Sequence, residues 1–113
     1  MHELGVTESI INIALTKAAE VQATKILKIS VVIGELSGFV PDCIEFYFET
    51  LSKDTIAEGS KLDFDIIPAK FRCRNCSTIV SPEGMIWTCP NCQSQSMEVI
   101  GGQEFYIKDL EVE

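Results

Sequence analysis

A chain of 113 residues with 46% hydrophobic content has room for one hydrophobic core and little more, unless something besides apolar burial holds a second module together. Seventeen acidic against nine basic residues give a formal charge of −8, the wrong sign for a domain whose main partner is a phosphate backbone, so nucleic acid is not expected as a partner. No stretch approaches the roughly 18 consecutive apolar residues of a membrane helix, and Glu3, Glu8 and Glu20 fall where a signal peptide would be basic and then apolar, so a soluble, cytoplasmic protein is expected.

Apolar residues recur at helical spacing over residues 4–21, with Val6, Ile10, Ala14, Ala18 and Val21 on one side and Leu4, Ile11 and Leu15 beside them. A first helix is expected there. The β-branched run 29–33 follows, placing Leu27, Ile29, Val31 and Ile33 on one face of a strand that stops at Gly34 and Gly38. Pro41 suits the first position of a second helix over 41–53, Asp42 and Glu45 suit its positive end, and Ile44, Tyr47, Phe48 and Leu51 supply an apolar face. Cys43, at the margin of that face, is expected in the core, since free cysteine is among the most buried residue types. Phe46, Tyr47 and Phe48 cannot all face one way, so Tyr47 and Phe48 are read as core. After Gly59, Leu62, Phe64 and Ile66 alternate with Lys61, Asp63 and Asp65 as a strand that Pro68 ends. Residues 70–96 break every period, and "GGQEFYIKDLEVE" restores a strand at the end.

The order is helix, strand, helix, strand, irregular insert, strand. It predicts an α/β (α+β) fold of two helices on a small three-stranded mixed sheet. Residues 1–69 with 97–113 form the expected α/β domain, and residues 70–96 an inserted module.

That insert carries Cys73 and Cys76 as one C-x-x-C, and Cys89 and Cys92 as another, with twelve residues between the pairs. An odd cysteine count and no signal peptide favour a reducing compartment, where doubled C-x-x-C pairs hold metal. Four thiolates around one tetrahedral zinc leave no open position, so the site is read as structural. Ile79, Val80, Ile86 and Trp87 are too few for an independent core, and zinc must supply most of the module's folding energy.

The sole histidine is His2. A terminal Met1 amine, the His2 amide nitrogen and the His2 imidazole can close two fused chelate rings around one ion. Three nearly coplanar nitrogens favour nickel(II) or copper(II) over zinc, with Glu3 as a further possible ligand. A cation at the start of the first helix meets roughly half a positive charge from the dipole, which Glu3, helped by Glu8, offsets. Asp42 is a candidate auxiliary ligand if the second helix begins near the terminus, although a first-turn acid explains it equally well. The bland alternative is a frayed end.

"MHELG" at the terminus, "VVIGELSGFVPDCIEFYFETL" in the middle, "CRNC" and "CPNC" in the insert and "GGQEFYIKDLEV" at the end occur together in this order. The whole chain thereby resembles the HypA/HybF family of nickel metallochaperones in NiFe-hydrogenase maturation. The resemblance implies nickel on His2, with the Met1 amine and Glu3 as helpers, and a structural zinc on Cys73, Cys76, Cys89 and Cys92, each metal one per chain. It implies as partners the GTPase HypB, the hydrogenase large-subunit precursor and, in some members, urease accessory proteins, with the chain a monomer or homodimer. Some relatives place a further histidine near the zinc module, and this chain has none.

Two other classes are weighed. A zinc-ribbon nucleic-acid module would use Lys70, Arg72 and Arg74 beside the first cysteine pair. A thiol redox protein would cycle disulfides within each C-x-x-C. An enzyme is not expected, since no acid–base pair or phosphate-binding glycine loop accompanies the lone histidine.

Overall fold

The computed structural model describes residues 2–81 and 88–113, the side chain of His2 excepted. In chain order its elements are α1 (His2–Glu20), β1 (Ile26–Gly34), α2 (Pro41–Leu51), β2 (Lys61–Ile67), β3 (Lys70–Cys73), β4 (Ile79–Val80), β5 (Met97–Gly101) and β6 (Phe105–Val112). They divide into two compact units. One comprises Met1–Val32, Gly38–Asp65 and Tyr106–Glu113, the other Ile33–Ser37 and Ile66–Phe105. No helix among the described residues is long and apolar enough to cross a membrane.

In the first unit the helical period of α1 buries Ile10, Ile11, Ala14 and Ala18 against water, together with Thr7. The helix starts two residues earlier than expected. Leu4 and Val21, expected on its apolar face, are 41% and 66% exposed because they occupy the first turn and the turn beyond the last residue. α1 packs on α2, whose buried stripe is Ile44 and Phe48, with Tyr47 and Leu51 half-buried. Cys43 corrects the sequence reading: it is exposed, one position off the Ile44–Phe48 stripe. Phe46 is 69% exposed and meets Tyr47 edge to face, with ring centroids 5.4 Å apart.

β1 is the middle strand of the order β2-β1-β6. Ile29, Val31 and Ile33 are buried as their alternation predicts, and Ile26 and Val32 join them. Leu27, expected to share that face, lies at the strand's start and stays 37% exposed. Hydrogen bonds at the strand ends give the directions. The Ser60 hydroxyl donates to Ile26 O at 2.5 Å, and Glu35 N–H to Ile67 O at 2.8 Å, so start meets start and end meets end. β1 and β2 are therefore parallel, joined through α2 as a crossover, as parallel strands require. Lys25 and Glu113 exchange N–H···O bonds of 2.9 and 3.4 Å, and Gly34 N–H donates to Glu104 O at 2.7 Å, so β6 runs antiparallel to β1. The three-stranded mixed sheet is as expected.

The second unit is where the sequence reading needs most correction. Residues 70–96 are not irregular throughout, because β3 pairs antiparallel with both β4 and β5 in a second three-stranded sheet. Phe71 faces Val80 and Val99, Arg72 faces Ile79 and Glu98, and Cys73 faces Met97. Residues 97–105, expected with the α/β part, fall in this unit because β5 is held by β3. Strands of four and two residues are too short to show a period. Ile86 and Trp87, counted on for the module's small core, lie outside the described residues.

Gly34 and Gly102 mark a close backbone crossing in this unit. A Cβ on Gly34 would lie 2.1 Å from Gly102 O, and Gly102, at φ +105°, leaves 2.8 Å to Ala69 Cα. Leu36 N–H also donates to Gly102 O at 2.6 Å, so neither backbone can retreat without losing a bond. Replacing Gly34 by Ala should cost about 3 kcal/mol or more in denaturant unfolding. Gly59→Ala, which meets open space but a φ of +78°, should cost only about 1–2 kcal/mol.

Candidate metal centres

The two C-x-x-C segments fold as copies of one knuckle. In the first, Ser77 N–H donates to Cys73 O at 2.9 Å and Cys73 N–H to Thr78 O at 2.9 Å. In the second, Gln93 N–H donates to Cys89 O at 2.8 Å and Cys89 N–H to Ser94 O at 2.8 Å. Ser77 and Gln93 both take a left-handed φ, +63° and +64°, which turns the chain back after each second cysteine. β3 ends at Cys73 and delivers the first knuckle, and Arg74 N–H to Ser96 O at 2.9 Å ties it to the segment leading into β5.

The knuckles bring all four sulfurs within 4.8 Å of one another. Cys73 Sγ lies 3.5 Å from Cys92 Sγ, and Cys76 Sγ 3.6 Å from Cys89 Sγ. A disulfide needs about 2.0 Å, whereas four sulfurs each about 2.3 Å from one tetrahedral zinc are spaced by about 3.8 Å. These short contacts also join cysteines of different knuckles, which counts against a redox dithiol built within one C-x-x-C. The donor set and spacing fit a soft, tetrahedral ion and leave no coordination position open.

Local hydrogen bonds set the charge on the sulfurs unequally. The Thr78 hydroxyl, 3.0 Å from Cys76 Sγ, and then the Asn91 amide and Thr78 N–H pull the Cys76 thiol down to about 5. The Cys76 and Asn75 N–H groups lower Cys73 against the cost of burial. For Cys92 the Asn75 amide and Ser94 N–H favour the thiolate, yet burial and the neighbouring Cys73 and Cys76 sulfurs outweigh them and raise it. The knuckles differ at one hydroxyl. Ser94 stands where Thr78 does, but its Oγ accepts from Ser96 N–H at 3.1 Å.

Arg72, a candidate phosphate contact, pairs its Nη1 with Glu98 Oε1 at 3.3 Å across β3 and β5. That pairing sets a carboxylate beside one of the three cations on which a nucleic-acid reading relied.

At the other candidate centre, α1 begins at His2, so the residue belongs to the helix rather than to an unstructured lead. The first four N–H groups of a helix have no intrahelical acceptor, and those of His2 and Glu3 are among them. Met1 and the His2 side chain lie outside the described residues. Glu3 is buried, 8% exposed, and its Oε2 accepts from Val40 N–H at 3.2 Å. Val40 is the N-cap residue of α2, with no side-chain cap of its own.

In a capping box the carboxylate that reaches back to the N-cap N–H comes from the third helical residue. Here that position is Cys43, and Glu3 supplies the carboxylate from another helix, at the favourable end of the α2 dipole. Nothing in the local sequence signals this contact, which spans 37 positions. The condition attached to Asp42 is also met, since α2 starts beside Glu3, and Asp42 is exposed in its first turn.

A family model described as hydrogenase/urease nickel incorporation, metallochaperone, hypA matches residues 1–112. The hydrogenase maturation factor HypA of Dehalococcoides mccartyi (strain CBDB1) is 45% identical over 113 residues, covering 100% of this chain and 95% of that protein. The factor of the same name from Caldanaerobacter subterraneus subsp. tengcongensis is 38% identical, with all of both chains covered. The solution structure of the nickel metallochaperone HypA from Helicobacter pylori aligns with TM-score 0.66 and 28% identity over 99% of this chain and 97% of that one. A second HypA solution structure aligns with TM-score 0.73 at 28% identity, over 99% of this chain and 96% of that one. With a terminus led by Met1-His2-Glu3 and a converged four-cysteine site inside that full-length match, the chain belongs to the HypA family of nickel metallochaperones and hydrogenase maturation factors.

Proposed function

We propose that this chain carries one nickel(II) at Met1 and His2, with Glu3 beside them, and delivers it in the cytoplasm to the NiFe-hydrogenase large-subunit precursor. The GTPase HypB is the partner that hands nickel over. The observation that carries the reading is the family match from residue 1 to residue 112, which takes in both the terminus and the four cysteines. The chain acts as a carrier and not as a catalyst.

Chemistry supports the terminus. The Met1 amine, the His2 amide nitrogen and the His2 imidazole offer three nitrogens in two fused rings, and His2 N–H is outside the helix ladder. Glu3 adds negative charge where the α1 dipole opposes a cation, and its bond to Val40 N–H anchors the terminus to α2. A carrier must also release its cargo. Affinity in the micromolar range, about 8 kcal/mol, suits that better than a permanent site. Cys73, Cys76, Cys89 and Cys92 hold a structural zinc, one per chain, whose binding supplies folding energy to the second unit.

Calorimetric titration of zinc-loaded protein with a native terminus should show one nickel per chain. Both His2→Ala and a form extended before Met1 should lose it, and equal binding by all three would sink the proposal. The amine and imidazole must be unprotonated, with reference pKa values of ~7.8 and ~6.5, and the His2 amide nitrogen must release its proton to solvent on binding, so nickel affinity should fall steadily as pH drops. Glu3→Ala should lower both nickel affinity and the unfolding temperature, by about 1 kcal/mol in stability, since it removes the acceptor for the Val40 N–H at the start of α2. Glu3→Gln keeps an acceptor for Val40 and should recover most of that stability.

Acid should strip the zinc site as well, because all four sulfurs must be thiolates to hold the ion and protons compete with it for them. Elemental analysis after buffer exchange reads this directly. Chelating the zinc should abolish hydrogen-exchange protection in β3–β5 before it affects α1 and α2.

A further inference from the structure

The two knuckles share more than their cysteines. Each reads C-x-N-C, with Asn75 third in the first and Asn91 third in the second. Their side chains do not serve their own knuckles. Asn75 Nδ2 donates to Cys92 Sγ at 3.5 Å, and Asn91 Nδ2 donates to Cys76 Sγ at 3.5 Å. Each asparagine thus crosses to the last cysteine of the opposite knuckle, and the two bonds are related in the same way as the matched backbone turns.

We propose that Asn75 and Asn91 are a reciprocal pair of positioning residues that clasp the two knuckles together and slow the escape of the metal held by the four cysteines. The inference rests on the zinc reading of that cluster. Four thiolates around a divalent ion carry an excess of two negative charges, and N–H donors aimed at the sulfurs offset it. Backbone N–H groups can do this within one knuckle. Asn75 and Asn91 instead reach a sulfur of the opposite knuckle. Loss of a structural ion starts with one sulfur leaving, which requires a knuckle to swing away from its partner. Each asparagine adds a bond that must break in that motion.

Both asparagines are exposed, so replacing either removes no buried packing. Asn→Asp is nearly isosteric, removes the donor and sets a carboxylate against a thiolate. Asn→Ala removes the donor alone.

The test is the rate at which zinc-loaded, full-length protein gives up zinc to an excess of a coloured chelator. Wild type is compared with Asn75→Ala, Asn91→Ala, the two Asp variants, the double Ala variant and Gln95→Ala as an exposed control. Each Ala variant should release zinc about tenfold faster, and each Asp variant faster still, while Gln95→Ala matches wild type. With cobalt(II) in place of zinc, the sulfur-to-metal charge-transfer band should move in every asparagine variant, because the donors act on the sulfurs themselves. Release at the wild-type rate from either Ala variant would overturn the proposal, as would faster release with an unmoved cobalt band. Failure of the zinc reading itself has a different signature: wild-type protein purified with no zinc, or Cys→Ser at any of the four positions leaving zinc content unchanged.

Discussion

The convergence of four sulfurs is the constraint on which the second unit depends. Its described apolar residues that escape water are few, Ile33, Ala69 and Phe71 besides Cys73 and Cys89 themselves. Strands of four, two and five residues cannot hold a sheet together on that much burial. What links them is the pair of knuckles at the end of β3, with backbone turns that repeat bond for bond. Sulfurs 3.5 and 3.6 Å apart across the knuckles would repel as thiolates without a cation between them. A cation at that point turns the least favourable feature of the unit into its strongest cross-link.

The first unit follows the opposite logic. Its stability comes from ordinary apolar burial along α1, β1 and α2, and the nickel site proposed for it lies at the start of α1. Among the described residues, Glu3 ties the start of α1 to the start of α2. By accepting from the Val40 N–H, the reach-back contact that a capping box would draw from α2's own third residue, it fastens the first turn of α1 to the N-cap of α2. In the proposed function the same carboxylate would act both in local structure and in the electrostatics of the bound cation. A substitution there changes both at once, so Gln, which separates them, is more informative than Ala.

The legible parts of the molecule were those governed by local periodicity. The α1 stripe, the β1 run, the α2 face and the alternation of β2 each extend over enough residues for a period to show, and all four elements lie where the pattern put them. Their edges were less readable: Leu4, Val21, Leu27 and Ile66 fit the pattern but stay exposed at or beyond the ends of their elements, and Cys43 missed the stripe by one position. β3, β4 and β5 were invisible because their order comes from the knuckles and not from an apolar repeat. The cysteines were plain from spacing. The asparagines that cross between knuckles were present as a repeated C-x-N-C, yet nothing in a linear pattern says which sulfur a side chain will reach. The Glu3–Val40 bond is the extreme case, a contact between two helix starts with no sequence signal at either end.

A four-cysteine cluster and a proposed terminal nickel site in one chain raise a question of which metal goes where, and coordination chemistry answers only half of it. The thiolate cluster selects by softness and by a closed tetrahedral shape, so an ion that prefers planar nitrogen donors gains little from entering it. The amine, amide and imidazole of the terminus make no comparable selection. In the general order of affinities copper(II) binds such nitrogen donors more tightly than nickel(II), so affinity alone would load the proposed carrier with the wrong ion. Nickel can be the cargo only if it arrives from a donor protein or from a pool in which copper is scarce. An open terminal site of moderate affinity suits transfer by ligand exchange within a complex, and it is poorly suited to scavenging from solution. Specificity in the proposed function therefore belongs to the docking of partners, and the terminus need only bind nickel well enough to carry it and loosely enough to let it go.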